Sequence, residues 1–517
     1  MQIEALYQSP EVTGRRRDVS DGRGGYPTHL RYFGLIVLIG VTVLLGWAIS
    51  STYGLFVGAG TLAIVCVVGV FWAFQRNAAG TLIGFWAFQL VIAPLSAIVG
   101  YTTSTGSALR QINDVAVILF LSFILWQLLS GRSIQFPLRY ILPGVGVALC
   151  GLSSAILGGV DISTAAQGSW LGLKMWILIA LALSISWRPN NIRWFFTVAK
   201  WLGVIVALLG IVDFVTHGGV ATALHTNVST KGVSIYRADA IQAIFTNPGE
   251  YSLAMSLFFA IALASYVIKR HPRELATVVL FAIAIALALR LKGVLDIGTA
   301  IAVVVMCPSQ RQRRKRAGVL ILAAVLTLGV LNFEGDVLFH QISNYSATSS
   351  GTTARGLLYD VSGQIAVSHF PFGVGFGRYA SYTSGSPYST VYDQYGLSGI
   401  WGLSRQYPLF ISDTSWPSVL GETGGIGLLC FIGGLVAIWI AAYRRFRRGA
   451  VGQEPIALAL LCALAVLIVD SLGDPNLFDW FAVTTIALLV GPVLKGFDGD
   501  STSLLKSSVP LRSGVDD

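Results

Sequence analysis

Apolar runs of roughly 17 to 25 residues recur from Tyr32 to Pro492, separated by polar stretches, and each is long enough to cross a hydrocarbon core of about 30 Å as a helix. The pattern predicts an all-α polytopic membrane protein with about 14 transmembrane helices. The predicted spans are 33–50, 52–74, 80–101, 113–130, 138–157, 170–187, 193–215, 248–268, 275–291, 293–307, 317–333, 418–443, 455–471 and 477–494.

Two connections on the predicted outer side are longer than a turn requires. One runs near 217–247, and the other covers 334–417. A structureless connection as long as the second is unusual unless it is functional. The predicted organisation is a cytoplasmic tail 1–31, transmembrane helices 1 to 11 in 32–333, a large extracytoplasmic loop 334–417, transmembrane helices 12 to 14 in 418–495, and a cytoplasmic tail 496–517.

The large loop carries a helix signal of its own. Thr352 or Thr353 is a suitable N-cap, and Leu358, Val361 and Ile365 follow at helical spacing. The glycines of HFPFGVGFGRY (369–379) come next, and we expect them to end this helix and to let the backbone approach a ligand closely. The sequence therefore predicts a partly helical loop on the membrane surface or over a cavity.

Composition and charge support the membrane assignment and give an orientation. The chain is 12% charged and 54% hydrophobic with a mean hydropathy of +0.70, which excludes an ordinary soluble protein. With both termini inside, all but nine of its 35 Lys and Arg residues fall on the cytoplasmic side. Contact with anionic lipid then explains the net charge of +10, and no nucleic-acid partner is implied. All five cysteines lie in apolar spans, without disulfide or zinc spacing.

The nine remaining cations lie where membrane proteins usually avoid them. They are Arg110, Lys174, Lys231, Arg237, Arg290, Lys292, Arg355, Arg378 and Arg405. Ion pairing or contact with outer headgroups accounts for any single one of them. Several lie together near predicted membrane boundaries, where a diphosphate would be a natural counter-charge.

Four segments, in this order, resemble parts of the O-antigen polymerase and ligase family. YRADAIQAIFTNPGEYSLAMSL (236–257) resembles its Arg-containing loop and Asn-Pro helix start, and ALRLKGVLDIGTAIAVV (288–304) resembles its basic Gly segment. RGLLYDVSGQIAVSHFPFGVGFGRY (355–379) is similar to its loop helix. DTSWPSVLGETGGIGLLCFIGGL (413–435) is similar to the stretch leading into the next span.

The resemblance implies a GT-C-like membrane glycosyltransferase that uses polyprenyl-diphosphate-linked sugars at the outer face, without a metal or other cofactor. It makes Arg237, Lys292, Arg290 and Arg355 the expected diphosphate ligands. Arg378, Glu422 and Trp416 are candidates for glycan binding, and the loop tyrosines and tryptophans offer faces on which sugars stack.

Asp413 is the expected general base. The family's ligases typically have histidine at the corresponding position, so aspartate favours a polymerase. The alternative is that Asp413 only caps the helix beginning near Trp416. His369 is a rival base, with a structural role in a turn as its alternative.

The expected function is polymerisation of lipid-linked oligosaccharide repeats into an exopolysaccharide or O-antigen. The protein would lie in a bacterial inner membrane, with a lipid-linked donor and acceptor as substrates and a flippase and a chain-length regulator as possible partners. A ligase acting on a lipid A core is the closest alternative. A transporter of a lipid-linked or soluble anion is another, although no internal repeat is visible, and a membrane scaffold would leave the loop unexplained.

Overall fold

Helices form wherever the apolar pattern predicts them in the part of the chain that is described. The computed structural model describes residues 54–99, 104–129, 137–226, 241–307, 353–449 and 453–496, and these contain no β-strand. The predicted spans 33–50 and 317–333 lie outside the described residues. The contacts divide the chain into residues 1–69 and 70–517, and the packing of the helices and loops concerns the second unit.

Fourteen α-helices are present in the described ranges. They are α1 (Gly54–Val99), α2 (Ser104–Leu129), α3 (Leu138–Leu157), α4 (Ile162–Ser184), α5 (Pro189–Val215), α6 (Gly219–Ala223), α7 (Pro248–Lys269), α8 (Pro272–Ala286), α9 (Leu291–Met306), α10 (Ala354–Ser368), α11 (Val391–Gln394), α12 (Trp416–Arg448), α13 (Glu454–Asp470) and α14 (Trp480–Lys495).

Seven of the described helices have a segment long and apolar enough to cross a membrane, which is the architecture of a polytopic membrane protein. These segments lie in α1 to α5, α7 and α12. Helices α8, α9, α13 and α14 are shorter, with 15 to 17 residues each. The full count of 14 crossings stays a prediction.

Helix α1 covers the described parts of the two predicted spans 52–74 and 80–101, and a single residue breaks it between them. Asn77 has φ −151° and ψ 79°, and its side-chain oxygen accepts the backbone N–H of Gly80 at 3.0 Å. Asn77 therefore acts as an N-cap within α1, and a new helical segment begins after it.

Helix α7 lies at the centre of the bundle and packs against α5, α8, α9 and α13. It is apolar all round its circumference and buried along most of its length, as such helices are in bundle interiors. Two further pairs of helices pack together: α12 lies along α3, and α14 lies along α4 and also contacts α7.

The bundle has a basic end, which carries Arg76, Arg188, Lys269 and Arg444 to Arg448. There the ammonium group of Lys495 donates to the carbonyl of Ile185 at 2.9 Å. The opposite end, which we call the loop end, carries residues 353–415 and the connection 471–479.

The loop residues 353–415 form a small core of their own. Thr353 caps α10 by accepting the N–H of Gly356 at 3.1 Å, and Leu358, Val361 and Ile365 are buried. The predicted cap and the predicted apolar face of this helix are therefore confirmed. Tyr379 and Tyr392 are fully buried and stack with their ring centroids 5.8 Å apart.

The glycines after α10 contact helices, which corrects the prediction that they meet a ligand. Gly375 has φ 95°, and a β-carbon there would lie 2.6 Å from the α-carbon of Ala155 in α3. Gly377 has φ 80°, and a β-carbon there would lie 2.6 Å from the carbonyl oxygen of Thr164 in α4. Between them, the buried Phe376 inserts its ring against the backbone of Gly151 and Gly172. The glycines thus let the loop backbone lie directly on the bundle.

Candidate functional site at the loop end

Three of the predicted site residues converge at the loop end from separate parts of the sequence. Lys292 lies in the first turn of α9, Arg355 in the first turn of α10, and Asp413 just before α12. A fourth contributor, the connection between α13 and α14, brings Asp474 to the same place. We call Lys292, Arg355, Asp413 and Asp474 the charged cluster.

Each cation of the charged cluster forms an ion pair with a distant carboxylate. The ammonium group of Lys292 contacts the Asp474 carboxylate, and an Arg355 guanidinium nitrogen lies 2.5 Å from an Asp413 oxygen. All four side chains are between 18% and 31% exposed, so solvent reaches them only partly. Partly buried charges of this kind depend on their partners, and removing one leaves the other poorly solvated.

Gly473 places the two ion pairs side by side. A β-carbon on Gly473 would lie 3.4 Å from a side-chain carbon of Lys292 and 3.7 Å from a guanidinium nitrogen of Arg355. Both cationic side chains therefore lie against Gly473 and close to each other. A single polyanion that replaced the carboxylates would contact both cations.

Hydrogen bonds fix the backbone around the cluster. The Tyr359 hydroxyl, one turn after Arg355, donates to the carbonyl of Leu472 at 2.9 Å. Ser415 donates to the carbonyl of Asp474 at 3.0 Å, and the Trp416 indole N–H donates to Ser471 at 2.9 Å. The loop and the connection 471–479 are thereby held together.

The charge of Arg290 also acts on this cluster. Arg290 is the residue immediately before α9. Its positive charge interacts electrostatically with both Lys292 and Asp413. Three predicted diphosphate ligands, Arg290, Lys292 and Arg355, therefore share one region. The fourth, Arg237, lies outside the described residues, so its placement stays a prediction.

Burial changes the proton affinity of Asp413. Desolvation raises the pKa of this carboxyl above its ordinary value, and the Arg355 guanidinium only partly offsets the rise. A carboxylate with a raised pKa is a stronger base than an exposed one, as proton abstraction from a hydroxyl requires.

The alternative capping role of Asp413 is wrong. The N-cap residue of α12 is Ser415, and no side chain caps that helix terminus. The side chain of Asp413 points instead to Arg355. The ion pair with Arg355, and not capping of α12, therefore explains the position of the Asp413 side chain.

His369 does not reach the charged cluster. It follows the last residue of α10, 14 residues after Arg355, which at about 1.5 Å per residue corresponds to about 20 Å along the helix axis. The imidazole is exposed and lies 3.0 Å from the Ser368 hydroxyl. The structure therefore does not support His369 as a rival base beside Asp413.

The three residues predicted to bind the glycan lie in different environments. Glu422 is 3% exposed and accepts hydrogen bonds from Ser381 and from the backbone of Tyr379, so it holds the loop against α12. Arg378 donates to the carbonyl of Gly158 and to Thr390. Trp416 donates a hydrogen bond to Ser471 and is the one of the three that lies next to the charged cluster.

Only some loop aromatics are available to a sugar. Tyr379 and Tyr392 form the loop core, whereas Tyr382 and Trp401 are 75% and 57% exposed. The prediction of stacking faces therefore does not hold for the two buried tyrosines.

Sequence reasoning missed the carboxylate Asp474 and its neighbour Asp470, which hydrogen-bonds to Asn476. The available signal was the short polar segment SLGDPN (471–476), which contains Asp474 and directly follows Asp470, between two predicted apolar spans. Ionisable residues so close to apolar spans need partners, which marks both carboxylates as candidates for a site.

In the described part of the chain, no group of three or more His, Cys, Asp and Glu side chains is placed to hold a metal ion. Comparison of the chain with protein-family models and with curated protein sequences finds no match.

Proposed function

We propose that the protein polymerises oligosaccharide repeats carried on polyprenyl diphosphate, at the outer face of a bacterial inner membrane. One observation carries this proposal: two cations, Lys292 and Arg355, lie side by side against Gly473, and Arg355 contacts the carboxylate Asp413, at the end of the bundle opposite the basic end. The resemblance of segments 236–257, 288–304, 355–379 and 413–435 to the O-antigen polymerase and ligase family supports a glycosyltransferase, and aspartate at position 413 favours the polymerase side of that family.

In this proposal, the diphosphate of the donor takes the place of carboxylates on the cations. Without donor, Asp474 and Asp413 neutralise Lys292 and Arg355. A diphosphate offers more negative charge and more acceptor oxygens than a carboxylate, so it competes well for a guanidinium and an ammonium group. Donor binding then releases Asp413 from Arg355 at the place where a base is needed.

The proposed reaction moves one glycosyl group. A hydroxyl oxygen of the acceptor repeat bonds to the anomeric carbon of the donor glycan, and the bond from that carbon to the diphosphate oxygen breaks. Asp413 takes the hydroxyl proton, and polyprenyl diphosphate leaves as an anion. Lys292, Arg355 and Arg290 stabilise the charge that develops on the leaving oxygen.

Replacement of Lys292 tests this assignment. In cells, Lys292→Ala is expected to lower polymer formation about a hundredfold or more, because stabilisation of the leaving group is lost. Lys200→Ala is the matched control, since Lys200 pairs with Glu274 near the basic end. Polymer is measured by gel and protein by immunoblot. Normal polymer in the Lys292 variant at an equal protein level would refute the diphosphate assignment.

A further inference from the structure

A second polar site lies next to the charged cluster, on the other side of the start of α7. It is a cavity of about 290 Å³ between α1, α2, α7 and α14. Its polar lining includes Gln89, Asn113, Glu250 and Asp479 together with the hydroxyl residues Ser96 and Thr246, and its apolar walls include Phe245 and Trp480. This volume is close to the lower limit, about 300 Å³, of pockets that hold small ligands.

Two carbonyl oxygens of the lining have no hydrogen-bond partner although their residues are buried. They are Oε1 of Gln89 and Oδ1 of Asn113, and each residue is only 7% exposed. Buried polar atoms are nearly always satisfied in native proteins, because leaving one unpaired is costly. Two such atoms around one cavity leave acceptor capacity that a ligand with hydrogen-bond donors would fill.

The orientation of the Gln89 amide follows from its neighbours. The Thr484 hydroxyl donates its proton to the carbonyl of Trp480 at 2.7 Å, so it can only accept from Gln89. The Gln89 amide nitrogen donates to that hydroxyl at 3.1 Å. The atom left without a partner is therefore the carbonyl oxygen, and the cavity requires a hydrogen-bond donor there.

The lining favours hydroxyl groups over an ion. The carboxylates Glu250 and Asp479 repel an anion from the cavity. Both are already used, since Glu250 accepts from Thr246 and Asp479 caps α14 by accepting from Ala482. A cation is also already present, because Lys174 lies 4.1 Å from the Trp480 ring centroid and donates to the carbonyl of Phe478. The acceptors that remain without a donor are the uncharged amide oxygens of Gln89 and Asn113, and they lie in a cavity with aromatic walls.

The geometry points to a sugar-binding subsite in this cavity, which takes one uncharged, hydroxyl-rich sugar of the lipid-linked repeat. This inference rests on the proposed function for the identity of its ligand. The position fits, because a β-carbon on Gly249 would lie 3.1 Å from the Asp474 carboxylate, while the next residue, Glu250, lines the cavity. The backbone at the start of α7 thus separates the diphosphate cluster from the sugar subsite.

The test uses the purified full-length protein and the repeat oligosaccharide released from its lipid diphosphate by mild acid. Binding is followed by calorimetry and by tryptophan fluorescence, since Trp480 borders the cavity. The wild type is expected to bind saturably. Gln89→Leu and Asn113→Leu, on different helices, are each expected to weaken binding about tenfold. Gln127→Leu is the control, because Gln127 lies on α2 near the basic end.

The outcomes separate this inference from the proposed function. Lys292→Ala is expected to bind the released oligosaccharide like the wild type, because that probe has no diphosphate. Absence of binding to the wild type, or equal binding by the wild type and a correctly folded Gln89 or Asn113 variant, would overturn the subsite. Stabilisation by sodium or ammonium ions in place of the oligosaccharide would also overturn it. Failure of the proposed function would appear separately, as normal polymer in cells that lack the protein.

Discussion

The cations at the loop end are held by carboxylates that lie far from them in sequence. Lys292 pairs with Asp474, 182 residues later, and Arg355 pairs with Asp413, 58 residues later. The cations themselves could be predicted, because a membrane protein rarely keeps basic residues on its outer side without a reason. The pairings could not, because no local spacing rule links residues that only the packing of the helices brings together. Asp413 was expected as a base or a cap, not as the partner of Arg355, and Asp474 was not expected at the site.

The pH dependence of turnover tests the role of Asp413. Only the ionised carboxylate accepts a proton, so activity is present above the pKa of Asp413 and is lost as the pH falls through it. Because burial raises this pKa, the loss is expected at a higher pH than for an exposed carboxyl. Initial rates with purified protein and lipid-linked repeats, measured between about pH 4 and 8, give the profile.

The Asp413→Asn variant completes that experiment. It is expected to lose about a hundredfold or more in turnover and to show no acid limb due to this group. Asp393→Asn is the control, since Asp393 pairs with Arg405 on the loop surface. An unchanged acid limb in Asp413→Asn would exclude Asp413 as the base.

At the scale of elements, the loop is a folded unit attached to the bundle by its backbone. Predictions from local signals were confirmed here: the cap at Thr353, the buried face of α10, and the bounds of α3, which match the predicted span 138–157. The glycines at 373–377 were expected to approach a ligand and instead contact helices, because the same residue suits ligand approach and helix contact equally well. Only the positions of Ala155 and Thr164 decide between them.

Two glycines with left-handed backbone provide a matched test of this attachment. Gly396 has φ 69°, and a β-carbon added there would have no other atom within 4 Å, so Gly396→Ala is expected to cost roughly 1–2 kcal/mol from its backbone alone. Gly375→Ala is expected to cost roughly 1–3 kcal/mol more, since its new β-carbon would collide with Ala155. Thermal unfolding of the two variants in detergent gives the comparison. Equal melting temperatures would show that the loop does not depend on this contact.

At the scale of the whole molecule, the proposal depends on which end of the bundle faces outward. Ser386 is exposed in the loop, and Ser186 is exposed at the basic end. We expect Ser386→Cys to react with an impermeant thiol reagent on intact spheroplasts, and Ser186→Cys only after permeabilisation. The unmodified chain controls for its own cysteines, of which Cys150, Cys307, Cys430 and Cys462 are not exposed. The reverse labelling pattern would place the charged cluster on the cytoplasmic side.

The most direct test of the polymerase function is mass spectrometry of lipid-linked glycans from cells in which the gene is deleted. Single repeats on polyprenyl diphosphate are expected to accumulate at the outer face, and the wild-type gene, but not Lys292→Ala, is expected to restore polymer. Long polymer still attached to the lipid would contradict this function in favour of a ligase. Repeats retained on the cytoplasmic face would contradict it in favour of a transporter.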